Sequence, residues 1–257
     1  MTEDIEKLSM FTVPRVQDLY QEIWRSPHAE SGVIANSIIQ WFRYRDYLQR
    51  ILQRYEEANT TYLEVRRRVR ERAPKTPGRH SLSRRASADM LRLWPLTRDV
   101  HLEIESFYVF AKILVDRIAD TFALFFLGHQ FAGLGSSHGK LKNGLASICQ
   151  KKNMRPGKLL NMTQDLQKRV VDHRTEVIEH LREPRYSPGS FIDANGKIRI
   201  EMGLVSATDA EREFDTRTTE APTNLMVALD DYLHAMASFL RANRDTSVLA
   251  SRQEDKR

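Results

Sequence analysis

An all-α helical bundle with long amphipathic helices is the fold class this sequence predicts, with a small β-hairpin and a C-terminal helix added. Three observations carry that prediction. Apolar residues recur at three- and four-residue steps along much of the 257-residue chain, the spacing that gives a helix one apolar face. Helix breakers gather in a few places, chiefly 73–88 and 133–140, and leave long uninterrupted stretches between them. Strict alternation of apolar and polar residues, the mark of a half-buried strand, stands out around Ile198, Ile200 and Met202.

The elements follow in order. Pro14, just after Thr12, opens a short helix with Val16, Leu19 and Ile23 on its apolar side, so residues 1–30 form an N-terminal helical arm. A long helix then runs from about Ser31 to Arg72, with Ile38, Trp41, Leu48, Leu52, Tyr55, Tyr62 and Val69 along its seam and Arg45 and Asn59 as polar interruptions. Pro74, Pro77, Gly78 and the serines after them make 73–88 an exposed, mobile basic loop. The next long helix, from about Leu96 to Phe131, is the most apolar element. Leu102, Phe107, Phe110, Ile113, Leu114, Ile118, Phe122, Phe125 and Phe126 place it at the centre of the core.

Gly133-Leu-Gly-Ser-Ser-His-Gly-Lys140 ends that helix. It is no phosphate-binding P-loop: the first glycine is one residue out of register, Leu141 replaces the Ser/Thr, and a helix precedes it. A short helix near Lys140–Gln150 leads to one from about Pro156 to Leu181, stopped by Pro184. The bundle therefore occupies 31–184. Residues 185–244 add the hairpin, turning at Asn195-Gly196, and a helix from about Thr223 to Ala242 that buries Leu225, Leu229, Tyr232, Leu233, Met236 and Phe239; both pack on the bundle. Residues 245–257 read as a disordered polar tail.

Composition limits the functional classes. The most apolar run, Phe122 to Leu127, falls far short of the about 20 apolar residues that span a bilayer, so no membrane partner is expected. The acidic start, Met1-Thr-Glu-Asp-Ile-Glu-Lys, lacks a signal-peptide core. Cys149 is the only cysteine, which excludes an internal disulfide and a cysteine-cluster zinc site and makes a reducing cytoplasm the expected setting. The net charge of +6 is unevenly spread. Arg66, Arg67, Arg68, Arg70, Arg72, Lys75, Arg79, Arg84 and Arg85 face a single acid, Glu71, and Lys140, Lys142, Lys151 and Lys152 open a second basic group. Such clusters suit a polyanion backbone, most plausibly RNA or DNA.

The segment Val170-Val-Asp-His-Arg-Thr-Glu-Val-Ile-Glu-His180 carries the chemistry. Arg174 offers a forked, permanently charged phosphate contact, and His180 a proton carrier near neutral pH. His173 and His180 sit seven apart on the face that should be apolar. In an ideal helix Arg174 lies about 120° round from His180 and roughly 9 Å along the axis. The arginine's length, a helix irregularity or a symmetry-related copy would have to close that gap. A structural reading pairs Arg174 with an acid such as Glu105, Asp116 or Asp172. No metal is expected, because neither His-Glu-x-x-His nor a Glu-x-x-His pair is present.

A long amphipathic helix, His101 to Ala119, followed by a helix bearing Arg174-x5-His180, resembles the HEPN superfamily of helical-bundle proteins, whose signature is Arg-x4-6-His on a late helix. The resemblance covers roughly Ser31 to Leu181. It implies a metal-independent, cofactor-free endoribonuclease of toxin–antitoxin, antiviral-defence or RNA-processing type, working as a homodimer and partnered by RNA and by an antitoxin or regulatory protein. Arg174 would hold the scissile phosphate and His180 would move the proton. His173, Thr175, Glu105 and Asp116 would support them, and the two basic groups would hold the RNA backbone. Thr175 departs from the polar Asn, Asp or His often found after the family's arginine. The alternative expectation is a non-catalytic helical module that binds RNA or a protein through the basic loop.

Overall fold

Periodicity and breakers set where the helices form. The computed structural model describes residues 13–72, 84–129, 137–174, 185–192, 198–205 and 222–250. Its elements are α1 (Pro14–Trp24), α2 (Ser31–Arg72), α3 (Arg84–Leu127), α4 (His138–Lys151), α5 (Lys158–Leu166), a π-helical segment (Gln167–Asp172), β1 (Arg185–Ile192), β2 (Ile198–Val205) and α6 (Pro222–Ala242). The described chain is mostly helical, and none of its helices is long and apolar enough to cross a membrane. Contacts divide it into two units: Met1–Gln49 with Tyr108–His173 and Thr223–Arg257, and Arg50–Phe107 with Arg174–Pro222.

The first unit holds the larger core. Ile38, Trp41 and Leu48 of α2, Leu114, Ile118 and Phe122 of α3, and Leu229, Tyr232 and Met236 of α6 are all buried. Val16, Leu19 and Ile23 of α1 are buried too, after a start in which Pro14 fills the first turn and no side chain caps. Two polar features tie this core together. Trp41 Nε1 donates to Thr121 Oγ1 at 2.8 Å, and that hydroxyl in turn donates to the Arg117 carbonyl at 2.9 Å. Arg45, which interrupts the apolar seam of α2, is buried because its Nε and a terminal nitrogen each meet an oxygen of Asp230 on α6 at 2.9 Å. Gly128, at φ +83°, ends α3 in the left-handed region, and its N–H donates to the Leu124 carbonyl.

In the second unit, Tyr62, Val65 and Val69 of α2 pack with Leu93 and Val100 of α3. Asp89 receives Arg72 and, at 3.9 Å, Arg68. Here α3 begins at Arg84, twelve residues before the expected start near Leu96, so Arg84–Ser87 are helical rather than part of the basic loop. The hydrophobic seam explains the extension: Met90, Leu93 and Leu96 continue it, and Asp89 gives the first turns a fixed partner. Pro95 immediately precedes the expected start at Leu96. It is instead carried inside the helix, where it removes one backbone hydrogen bond while its ring sits on an exposed face. Leu102, expected in the core, is 59% exposed.

Backbone pairing joins β1 to β2 antiparallel, from Arg185↔Val205 to Ile192↔Ile198. The expected tail is ordered as far as Ala250, in two 3-10 turns with Ser247 buried, because Lys152 Nζ donates to the Thr246 carbonyl at 2.8 Å. Thr12, the segments 73–83 and 130–136, Thr175–Pro184, the Asn195-Gly196 turn and 251–257 lie outside the described residues.

Removing one partner of a buried ion pair leaves an uncompensated charge. Asp230→Ala should therefore lower stability by about 3 kcal/mol in urea unfolding, whereas Arg45→Met combined with Asp230→Leu should come close to wild type.

Candidate functional site

Helix geometry sorts the basic run of α2. At about 100° per residue, Arg66, Arg67 and Arg70 fall within roughly 100° of one another, while Arg68 and Arg72 lie on the other side. Arg68 and Arg72 are the two that meet Asp89. Arg67 and Arg70 are exposed and Arg66 is half-buried; Arg67 stands 3.7 Å from Glu71 one turn on. Arg85 is exposed in the first turn of α3. The lysines are less concentrated than their order suggests. Lys140 and Lys151 share one side of α4 and Lys142 lies on nearly the opposite side, all three exposed, while Lys152 is committed to Thr246.

The motif helix is not a regular α-helix. It is α-helical from Lys158 to Leu166 and then unwinds into the π segment. His173 follows, its ring 4.6 Å from that of Tyr108 and tilted by 37°. Arg174 is half-buried and falls in the second unit, and Thr175 and His180 lie outside the described residues. The irregularity precedes Arg174. It resets Arg174 against Leu166. The Asp116 carboxylate takes Lys112 Nζ at 2.6 Å and the His138 backbone N–H at 2.8 Å, at the start of α4. Asp172 accepts from Gln167 Nε2 at 2.8 Å. Glu105 is half-buried on α3.

A polar cluster that the sequence reading passed over surrounds His138. This residue is fully buried at the first position of α4, on a stripe with Leu141, Leu145 and Cys149. Its Nδ1 lies 3.1 Å from Gln167 Oε1 and its ring packs edge-on to Tyr232. Because the Gln167 amide nitrogen is directed at Asp172, Gln167 presents its oxygen to His138, which makes Nδ1 the donor. His138 Nε2 is then a buried acceptor with no hydrogen-bond partner among the described residues. The Gln167–Asp172 bond spans five residues, the repeat of a π-helix, so the side chains and the winding support each other. The missed signal was the spacing His138, Leu141, Leu145, which places a histidine at the head of an apolar stripe.

No family model, curated protein or solved structure matches this chain. The likeness to HEPN proteins thus stands on Arg174, His180 and the order of helices. Among the described residues no group of three or more His, Cys, Asp or Glu could hold a metal ion. A cavity of about 710 Å³ in the first unit is lined by Ser26, His28, Arg244, Asp245 and Leu249 among others, and it contains none of the candidates.

Burial holds the His138 imidazole below its ordinary value of 6.5, and burial pushes His101 down to about 4. As pH falls below about 6.5 the unfolded chain therefore takes up protons that the fold refuses, so stability falls with acid. Urea midpoints measured between pH 7.5 and pH 5 should drop. His138→Gln should reduce that drop without abolishing it, because His101 still contributes.

Proposed function

We propose that this chain is an RNA-directed helical protein that acts in the cytoplasm as a metal-independent endoribonuclease. The observation that carries the reading is the sorting of the α2 arginines. Asp89 takes Arg68 and Arg72, and Arg67 and Arg70 are exposed on another side of α2. Cations fixed on one side of a rigid helix hold a phosphate backbone without reading its sequence. Arg174, in the same unit, binds the scissile phosphate and stabilises charge on its oxygens as the bond breaks. His180 acts as general acid or base while the 2′-hydroxyl attacks the neighbouring phosphorus, which leaves a cyclic phosphate and spares DNA.

A second reading, a non-catalytic RNA-binding module, gains from two observations. The His173 ring packs against Tyr108, and Asp116 accepts the first backbone N–H of α4, so two of the residues expected to assist Arg174 have structural work.

Labelled single-stranded RNA incubated with purified protein and EDTA should be cut to a 2′,3′-cyclic phosphate product. Arg174→Ala and His180→Ala should fold normally and lose cleavage, and an all-DNA strand should survive. Retention without cutting, unchanged in His180→Ala, would favour the binding module. In either case Arg67→Ala and Arg70→Ala should each reduce the slope of log affinity against log salt by about one.

A further inference from the structure

The outer face of α3 in the second unit carries large apolar side chains that no described residue of the unit covers. Leu91 is 73% exposed, Trp94 65% and Leu102 59%, against 6% for Leu93 and 9% for Val100 on the packed side. At about 100° per residue Leu91, Trp94, Pro95, Arg98 and Leu102 fall within roughly 100° of one another, directly opposite Leu93 and Val100. A surface helix ordinarily keeps that face polar. Here it forms a seam some 16 Å long with a single cation, Arg98, inside it.

The charges around the seam identify what covers it. Arg92 and Asp99 are seven residues apart and lie on the same flank, both exposed and neither with an ion-pair partner among the described residues. Residues seven apart on one flank cannot pair along their own helix, where neighbours are three and four apart. They do pair between two antiparallel helices, because a two-fold axis brings each flank against itself. We propose that this face seats a second copy of the chain, with the two α3 helices antiparallel about a two-fold axis near Pro95 and Leu96.

That axis sets every other contact. Arg92 meets the partner's Asp99, and Asp99 meets the partner's Arg92. Leu91 packs on the partner's Leu102. Arg98 comes over the partner's Trp94 ring, where a guanidinium is attracted to the aromatic face. A parallel arrangement would instead set Arg98 against its own copy. The proposal does not depend on cleavage or on RNA binding, since it uses none of the residues assigned to either.

The test is the mass of the full chain across a concentration series, by light scattering or sedimentation. The wild type should be dimeric. Trp94→Glu should be monomeric with an unchanged circular dichroism spectrum, which an exposed position allows. Arg92→Asp and Asp99→Arg should each lose the dimer, and the double exchange should restore it. Pro95→Cys should cross-link to its own copy on oxidation, since Cys149 is buried, and Leu102→Cys, far from the axis, should not. A wild type that stays monomeric, or a dimer that survives both Trp94→Glu and Arg92→Asp, would overturn the proposal. So would loss of RNA retention in Trp94→Glu with no change in mass, which would give the face to nucleic acid.

Discussion

Within each unit the structure depends on one stretch of α2 packing against one stretch of α3. The 42 residues of α2 carry an apolar seam that has to be covered in both units. In each unit α3 supplies the cover. Trp41 meets Thr121 in the first, and Tyr62, Val65 and Val69 meet Leu93 and Val100 in the second. Pairing also decides which polar residues are internal. Arg45 is drawn inside by Asp230, and Arg68 and Arg72 turn toward Asp89 because they lie on the side of α2 that α3 approaches. The exposed Arg67 and Arg70, and the outer face of α3, lie away from that packing.

Much of the helical framework was legible in the residues. The seams of α1, α2 and α6 read directly, since each buried position recurs at three- and four-residue steps and few tertiary effects disturb them. The start of α3 did not read. Pro95 is a strong local signal for a helix N-terminus, and the contacts that outweigh it, Asp89 with Arg72 and Met90 with the α2 seam, lie between residues distant in sequence. Leu102 misled for a related reason. Periodicity says which residues share a face, but a helix with apolar residues on two faces does not say which face is covered within the chain.

The candidate site was less legible because sequence counts charges and cannot count their partners. From Arg66 to Arg85 the chain appears as a nearly uncompensated basic run, yet one buried carboxylate, Asp89, takes two of its guanidinium groups. Asp116 was expected to support Arg174, and its carboxylate accepts the His138 backbone N–H at the start of α4. His138 was hidden inside a glycine- and serine-rich stretch whose composition reads as loop. Its importance appears only when Gln167 and Asp172, about thirty residues on, come to meet it.

The π segment between Gln167 and Asp172 also bears on how this chain could have arisen. A stretch wound on a five-residue hydrogen-bond step is what a helix becomes when it gains a single residue without being broken. Losing one codon there would let the helix close into regular winding. It would also swing everything after it by about 100°, taking His173 away from Tyr108 and redirecting Arg174. An ancestor lacking that residue would share the buried seam on one side of the segment and present a different set of side chains on the other. A gap of one residue in an otherwise continuous helix is therefore the mark by which relatives of this chain could be aligned.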